Sequence, residues 1–308
     1  MLSRMQWLVG LDLAPSSRGA IVFAQWLAER AKRVGQPDSI RGVHIIERSL
    51  LAPLFGAQSP DNVVAQAREQ ARACLETVEA ADTFDKVHVG LDTRADEGLR
   101  REAAIFQPDA VIVGRKTRKD ATGTFSLGPT AHRLLRTLPA PVIVVPNDLP
   151  RSGIGRGPVL AATDLDAHSV PACRYARDLA AHLRREVAYG HVVSDPRSNL
   201  ERYFSRKAVG DLAEQMMTSG TRMLSAWLDV EDLAGPETHI VQGSTVEALC
   251  ETAIAVEAPL IVLGSRRLSG LERAFVGSTC TDLARVAPCP IMVVPPDWSA
   301  PVSSPTPR

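Results

Sequence analysis

The sequence predicts an α/β protein built from two doubly wound domains, each with a five-stranded parallel sheet. Three observations lead there. First, the chain repeats itself: Leu8-Val-Gly-Leu-Asp12 returns as Leu160-Ala-Ala-Thr-Asp164, and Pro141-Val-Ile-Val-Val-Pro146 returns as Pro290-Ile-Met-Val-Val-Pro295. Second, the apolar runs are short and lack strict alternation, the pattern of strands covered on both faces. Third, helical segments separate these runs, which implies parallel strands joined by right-handed crossovers.

A period near 150 residues is domain duplication and is far too long for a solenoid repeat. The first copy is expected at 1–148, with strands near Gln6–Leu11, Arg41–Ile46, Lys86–Val89, Ala110–Val113 and Val142–Val145. The second is expected at 156–297, with strands near Val159–Thr163, Val187–Val193, Thr238–Val241, Leu260–Leu263 and Ile291–Val294. Ala20, Ala24, Leu27 and Ala31 share one helical face, as do Ala176, Leu179, Ala180 and Leu183. Ser169 before Pro171 reads as a helix start. The stretch Leu200–Leu228 has helical period and outruns its counterpart; its Met216, Met217, Met223 and Trp227 are expected in packing, with a groove for a hydrophobic ligand as the alternative. Pro150, Gly153, Gly155 and Gly157 punctuate the boundary, and 298–308, rich in Pro and Ser, is expected to be a disordered tail.

Composition narrows the function. Lys plus Arg and Asp plus Glu number 35 each, so the surplus of positive charge that nucleic acid or an anionic membrane surface demands is missing. No apolar run approaches the ~20 residues of a membrane span, and no small-residue cleavage site follows the first residues, so a cytoplasmic protein is expected. Cys74, Cys173, Cys250, Cys280 and Cys289 form no C-x-x-C pair and read as reduced, buried thiols rather than zinc ligands.

In doubly wound sheets, ligands sit outside the carboxyl ends of the strands where strand order reverses. Asp12 and Asp164 close the first strands, and Gly114 and Gly264 close the fourth. A helix starting at Gly277-Ser278 would offer free amides and its positive end to an anion, with Arg266 and Arg267 nearby. Each feature has a plainer reading: the aspartates cap turns, the glycines merely bend the chain, and Arg115-Lys-Thr-Arg-Lys119 is a solvated loop. His44 and His191 hold matching places in the second strands and are expected to be packing residues with one satisfied nitrogen.

The stretch from Gly264 through Gly277-Ser278 and Ala287-Pro-Cys-Pro290 to Ile291-Met-Val-Val294 resembles the C-terminal signature of universal stress proteins, whose ATP-binding members show G-x2-G-x9-G-[S/T]. The resemblance covers both copies. It implies the Rossmann-like sheet of the adenine nucleotide alpha hydrolases, strand order 3-2-1-4-5, with antiparallel pairing of the two last strands in a pseudo-twofold dimer. It implies bound ATP or AMP, with or without Mg²⁺: Ala162 and Asp164 near ribose and adenine, Val192 lining the adenine pocket, and Gly264, Gly277, Ser278 and Thr279 at the phosphates.

This chain departs from the pattern at Arg267, which replaces the second glycine. If that position needs positive φ, the side chain costs ~1–2 kcal/mol and obstructs the phosphates; if not, its guanidinium clamps them. In the first copy Asp12, Gly114 and Gly128 are the counterparts. There the second glycine is absent, Gly128 lies 14 residues after Gly114 against 13 in the second copy, and Pro129 brings neither N–H nor hydroxyl. Thr93 replaces Gly243. The first site is therefore expected to be degenerate.

No G-x-S-x-G, H-E-x-x-H or GxxxxGK[ST] occurs, so an enzyme is not expected, although slow ATP hydrolysis needs only a positioned water. The reading is a stress-response nucleotide sensor with an unidentified protein partner. The alternative is a family member without nucleotide that binds a partner or a hydrophobic ligand. No feature supports a higher homo-oligomer.

Overall fold

The computed structural model describes residues 4–14, 17–33, 35, 37–51, 59–119, 125–137, 139–233, 235, 237–267, 274–275 and 278–299. The first copy runs β1 (Gln6–Gly10), α1 (Arg18–Arg33), β2 (Ser39–Glu47), α2 (Arg48–Leu51), α3 (Pro60–Glu76), β3 (Lys86–Asp92), α4 (Ala95–Phe106), β4 (Ala110–Arg115), β5 (Thr117–Lys119), β6 (Phe125–Leu127), α5 (Pro129–Thr137) and β7 (Val142–Pro146). The second runs β8 (Val159–Ala162), α6 (Val170–His182), β9 (Val187–Val193), α7 (Arg197–Leu200), α8 (Arg206–Val230), β10 (Glu237–Gln242), α9 (Thr245–Ala255), β11 (Ile261–Gly264), β12 (Arg266–Arg267), β13 (Ala274–Phe275), α10 (Ser278–Val286) and β14 (Ile291–Val294).

Ten strands form one sheet, in the order β10-β9-β8-β11-β14-β7-β4-β1-β2-β3. Each copy thus has the order 3-2-1-4-5 with parallel pairing throughout. The copies meet where β14 pairs antiparallel with β7, Met292 opposite Ile143. That pairing removes two edges whose backbone groups would otherwise lack partners. Two hairpins, β5–β6 and β12–β13, leave the ends of β4 and β11. Each crosses to the other copy, β6 packing on α10 and β13 on α5.

The copies also share their core. One apolar layer holds Trp7, Phe23 and Leu27 with Tyr175, Leu179 and Leu183; the other holds Leu8, Leu99 and Leu134 with Leu160, Leu249 and Leu283. Buried polar contacts cross the same seam. His182 of α6 bonds Asp38 at 2.9 Å, and Asp38 also accepts the Trp7 indole N–H at 2.8 Å and the Met5 amide at 3.1 Å. The Tyr175 hydroxyl donates to the Asp109 carbonyl at 3.0 Å, and Arg30 donates to that of Leu183 at 2.7 Å. Burial pushes the Asp109 carboxyl up and the Tyr175 hydroxyl well up.

The boundary is built in rather than loose. A Cβ on Gly157 would lie 1.8 Å from the Val256 carbonyl oxygen, and one on Gly155 2.0 Å from that of Glu257. Those glycines are required because the linker presses against the end of α9.

Several expectations need correction. The stretch Leu200–Leu228 is not one helix: α7 ends at Leu200, and Ser205 accepts the Ala208 amide at 3.2 Å and starts α8 afresh. Trp227 packs on the core as expected, but Met223 is exposed, as are Tyr203 and Phe204 between the helices. The folded body extends past 297: Trp298 packs against both apolar layers, as a large indole does beside buried aliphatic surface. Residues 300–308 of the expected tail lie outside the described residues. All five cysteines are free, but Cys74 and Cys250 are only half-buried. Burial pushes Cys173 and Cys289 up to about 12, which leaves them protonated and unreactive. Among the described residues, no helix is long and apolar enough to cross a membrane, and no cluster of His, Cys, Asp and Glu could hold a metal.

Candidate functional site

The site forms where the chain leaves β8. Asp164 follows that strand, and the Ser169 hydroxyl donates to its Oδ1 at 2.6 Å while the Asp166 amide donates at 3.3 Å. Between them Leu165 takes φ of 64°, a left-handed conformation rare for a branched side chain. The first copy repeats this turn: Ser17 donates to Asp12 at 2.6 Å, the Ala14 amide at 3.0 Å, and Leu13 has φ of 56°. Turn capping by both aspartates is therefore real. It also fixes the direction of each carboxylate.

The histidines of β2 and β9 brace these turns. His191 Nδ1 lies 2.9 Å from the Thr163 carbonyl, and His44 Nδ1 lies 2.7 Å from that of Leu11. A carbonyl only accepts, so Nδ1 carries the proton in both rings. The expectation of one satisfied nitrogen holds.

Beside this turn, β11 ends at Gly264. A Cβ there would lie 2.7 Å from the His168 carbonyl oxygen, so glycine is needed for the close passage of the segment that leads into α6. Cys280 donates its thiol to the Gly264 carbonyl at 3.6 Å and ties the start of α10 to the same point.

These elements enclose a cavity of about 410 Å³, lined by Ala162, Thr163, Asp164, Ser169, Gly190, His191, Val192, Thr245, Leu249, Leu263, Gly264, Ser278, Thr279 and Cys280. Its apolar wall is Val192, Leu249 and Leu263, and its polar end is the first turn of α10. Helix amides there lack intrahelical partners and carry the positive end of the macrodipole. The strand order reverses between β8 and β11, so this is the switch point of the second copy.

A universal stress protein family model matches residues 5–146 and 155–295. The chain belongs to the universal stress protein family. A universal stress protein of Mycolicibacterium smegmatis is 26% identical over 302 residues, covering 94% of this chain and 96% of that protein. The crystal structure of a universal stress protein from Archaeoglobus fulgidus covers 94% of this chain and 98% of its own, with TM-score 0.61 and 18% identity. That of a functionally unknown protein from Pseudomonas aeruginosa covers 96% and 93%, with TM-score 0.62 and 15% identity. Both structures share the two-copy fold with this stress protein.

Of the residues named from sequence, Ala162, Asp164, Val192, Gly264, Ser278 and Thr279 line one cavity. Gly277 lies outside the described residues. Arg267 pairs with Ala274 in the hairpin, and its side chain lies outside them too. Sequence reasoning missed Gly190, Thr245, Leu249 and Cys280 as lining residues.

The first copy of this stress protein differs at the same places. Val43 stands opposite Gly10 in the register where Gly190 stands opposite Ala162. Its buried side chain joins Leu8 and Leu99, the counterparts of the Leu160 and Leu249 beside which Gly190 places no side chain. Ile45 replaces Val192. A carboxylate already occupies one helix start, since Glu47 accepts the Ala95 amide of α4 at 3.0 Å. Asp96, 2% exposed at its side chain, is paired with Arg94 at 3.2 Å and Arg133 at 3.3 Å. Gly128 is buried, and a Cβ there would meet Lys116 at 2.9 Å. Pro129 begins α5. The cluster 115–119 is not an irregular loop: Thr117–Lys119 form a strand, Arg115 is half-buried and Lys116 is exposed.

Proposed function

We propose that this stress protein binds one adenine nucleotide, ATP or AMP, in the cavity of its second copy and acts as a sensor rather than an enzyme. The observation that carries the reading is the cavity at the β8/β11 switch point, which brings Asp164 together with the amide-rich first turn of α10. Its volume lies within the range of small-molecule sites. Val192, Leu249 and Leu263 suit the face of a base, Asp164 suits ribose hydroxyls, and Ser278 with Thr279 suits phosphate. Any Mg²⁺ would arrive with the nucleotide, coordinated chiefly by its phosphates. The first copy serves as scaffold, because Val43, Glu47 and Pro129 replace what a ligand would need.

The test grafts the first copy onto the second. A fluorescent ATP analogue is titrated by anisotropy against the intact protein and against Ser278→Pro. Proline suits the first turn of α10 but supplies neither N–H nor hydroxyl. Binding to the intact protein that ATP or AMP displaces, weakened in the variant, supports the reading. An intact protein that never raises the anisotropy contradicts it.

A further inference from the structure

We infer that Arg115 of the first copy is a positioning residue for the second copy's cavity, acting through α10. The inference rests on the nucleotide reading for its effect on affinity, but not for its effect on the helix. Helix α10 starts at the cavity, with Ser278 and Thr279 in the lining, and ends at Val286. Nine residues make a rod about 13 Å long. At its far end Arg115 Nη1 donates to the Ala287 carbonyl at 2.7 Å, a contact between residues 172 apart in sequence. A guanidinium there satisfies an orphan carbonyl and sits at the negative end of the helix macrodipole. Burial lowers the Arg115 pKa, yet an arginine stays charged at neutral pH. Asp148 and the thiols Cys250 and Cys289 lie within electrostatic reach of it.

The first copy also holds the flank of α10 through β6. The second copy's own α9, β14 and Gly264 also hold α10, but the contact at its carboxyl end and the one on its β6 flank come from the first copy. The hairpin packing is reciprocal, with β13 on α5, but the arginine contact is one-sided. At the position matching Arg115 stands Ser265, whose hydroxyl donates to Val294 within its own copy at 3.3 Å. Through that contact the β4 end of the first copy sets the position of the helix that presents amides to the second copy's cavity.

The experiment compares the intact protein with Arg115→Met and Arg115→Lys by two readouts. Hydrogen exchange of the α10 amides from Asp282 to Val286 is expected to quicken in Arg115→Met, with β8 and β11 unchanged, and to recover in part in Arg115→Lys. Affinity for ATP with Mg²⁺ is expected to fall about fivefold or more in Arg115→Met, within the usual range of coupling between sites. Unchanged α10 exchange, or faster exchange spread evenly over the second copy, overturns the inference. Exchange decides the positioning role even if the intact protein binds no nucleotide, so the two readings fail separately. Should Arg115→Met not fold, Arg115→Lys carries the same comparison.

Discussion

Val43 and Gly190 hold the same register position in the two copies, and they differ by an entire isopropyl group beside equivalent leucines. A Cβ built on Gly190 would approach Leu160 Cδ1 at 3.3 Å and Leu249 Cδ2 at 3.7 Å, both movable side-chain ends. Gly190→Val should therefore fold, with stability changed by about 1 kcal/mol, because the new methyls enter a cavity. It should lower nucleotide affinity at least tenfold, on the order of 1.4 kcal/mol. Thermal denaturation and a binding titration on the same sample separate the two effects.

The fold was legible because its signals are local. Val/Ile runs marked every long strand, and Pro141–Pro146 against Pro290–Pro295 exposed the duplication and its edge pairing. Part of the site was legible too: the repeat marked Asp164 and Gly264 at strand ends, and the family resemblance supplied Ser278 and Thr279. Gly190 was missed although its neighbour His191 had been matched to His44. Comparing one residue further back would have shown Gly against Val. Arg115 on Ala287 and His182 on Asp38 join residues 172 and 144 apart. No spacing rule reaches that far, and only the seam between copies creates those contacts.

The Asp109 carboxyl, buried beside the seam, makes stability depend on pH. Burial raises its pKa in the folded protein, so its favourable contribution is complete below the ordinary carboxylate value of ~3.9 and is lost as pH rises through the folded value. A side-chain amide at this position would stay neutral and could still accept the Gln6 amide, now held at 2.7 Å. Asp109→Asn should be at least as stable as the parent in urea at neutral pH, and its advantage should shrink as pH falls through the raised value of the folded Asp109 carboxyl. An advantage that grows in acid contradicts this.

His182→Ala should weaken the junction directly. It strips one of three hydrogen-bond partners from the buried Asp38 carboxylate, leaving Trp7 and Met5. A cost of about 1–3 kcal/mol is expected. Because the apolar layers are shared, both copies should still unfold in one urea transition followed by circular dichroism.

Two glycines give opposite expectations under the same substitution. Gly157→Ala forces a methyl against the Val256 backbone oxygen and should cost about 2 kcal/mol or more. Gly210→Ala, within α8 and with nothing within 4 Å of the new atom, should stabilise by about 0.5–1 kcal/mol. Thermal melts of the two variants should move in opposite directions.

In the proposed function, one copy of this stress protein holds a nucleotide and the other fills the matching space with its own side chains. Titration calorimetry with ATP and Mg²⁺ reads that difference as a stoichiometry. One site per chain, abolished by Gly190→Val, is the expected result. Two sites per chain, or heat that survives Gly190→Val unchanged, would rule out a single nucleotide site in the second copy.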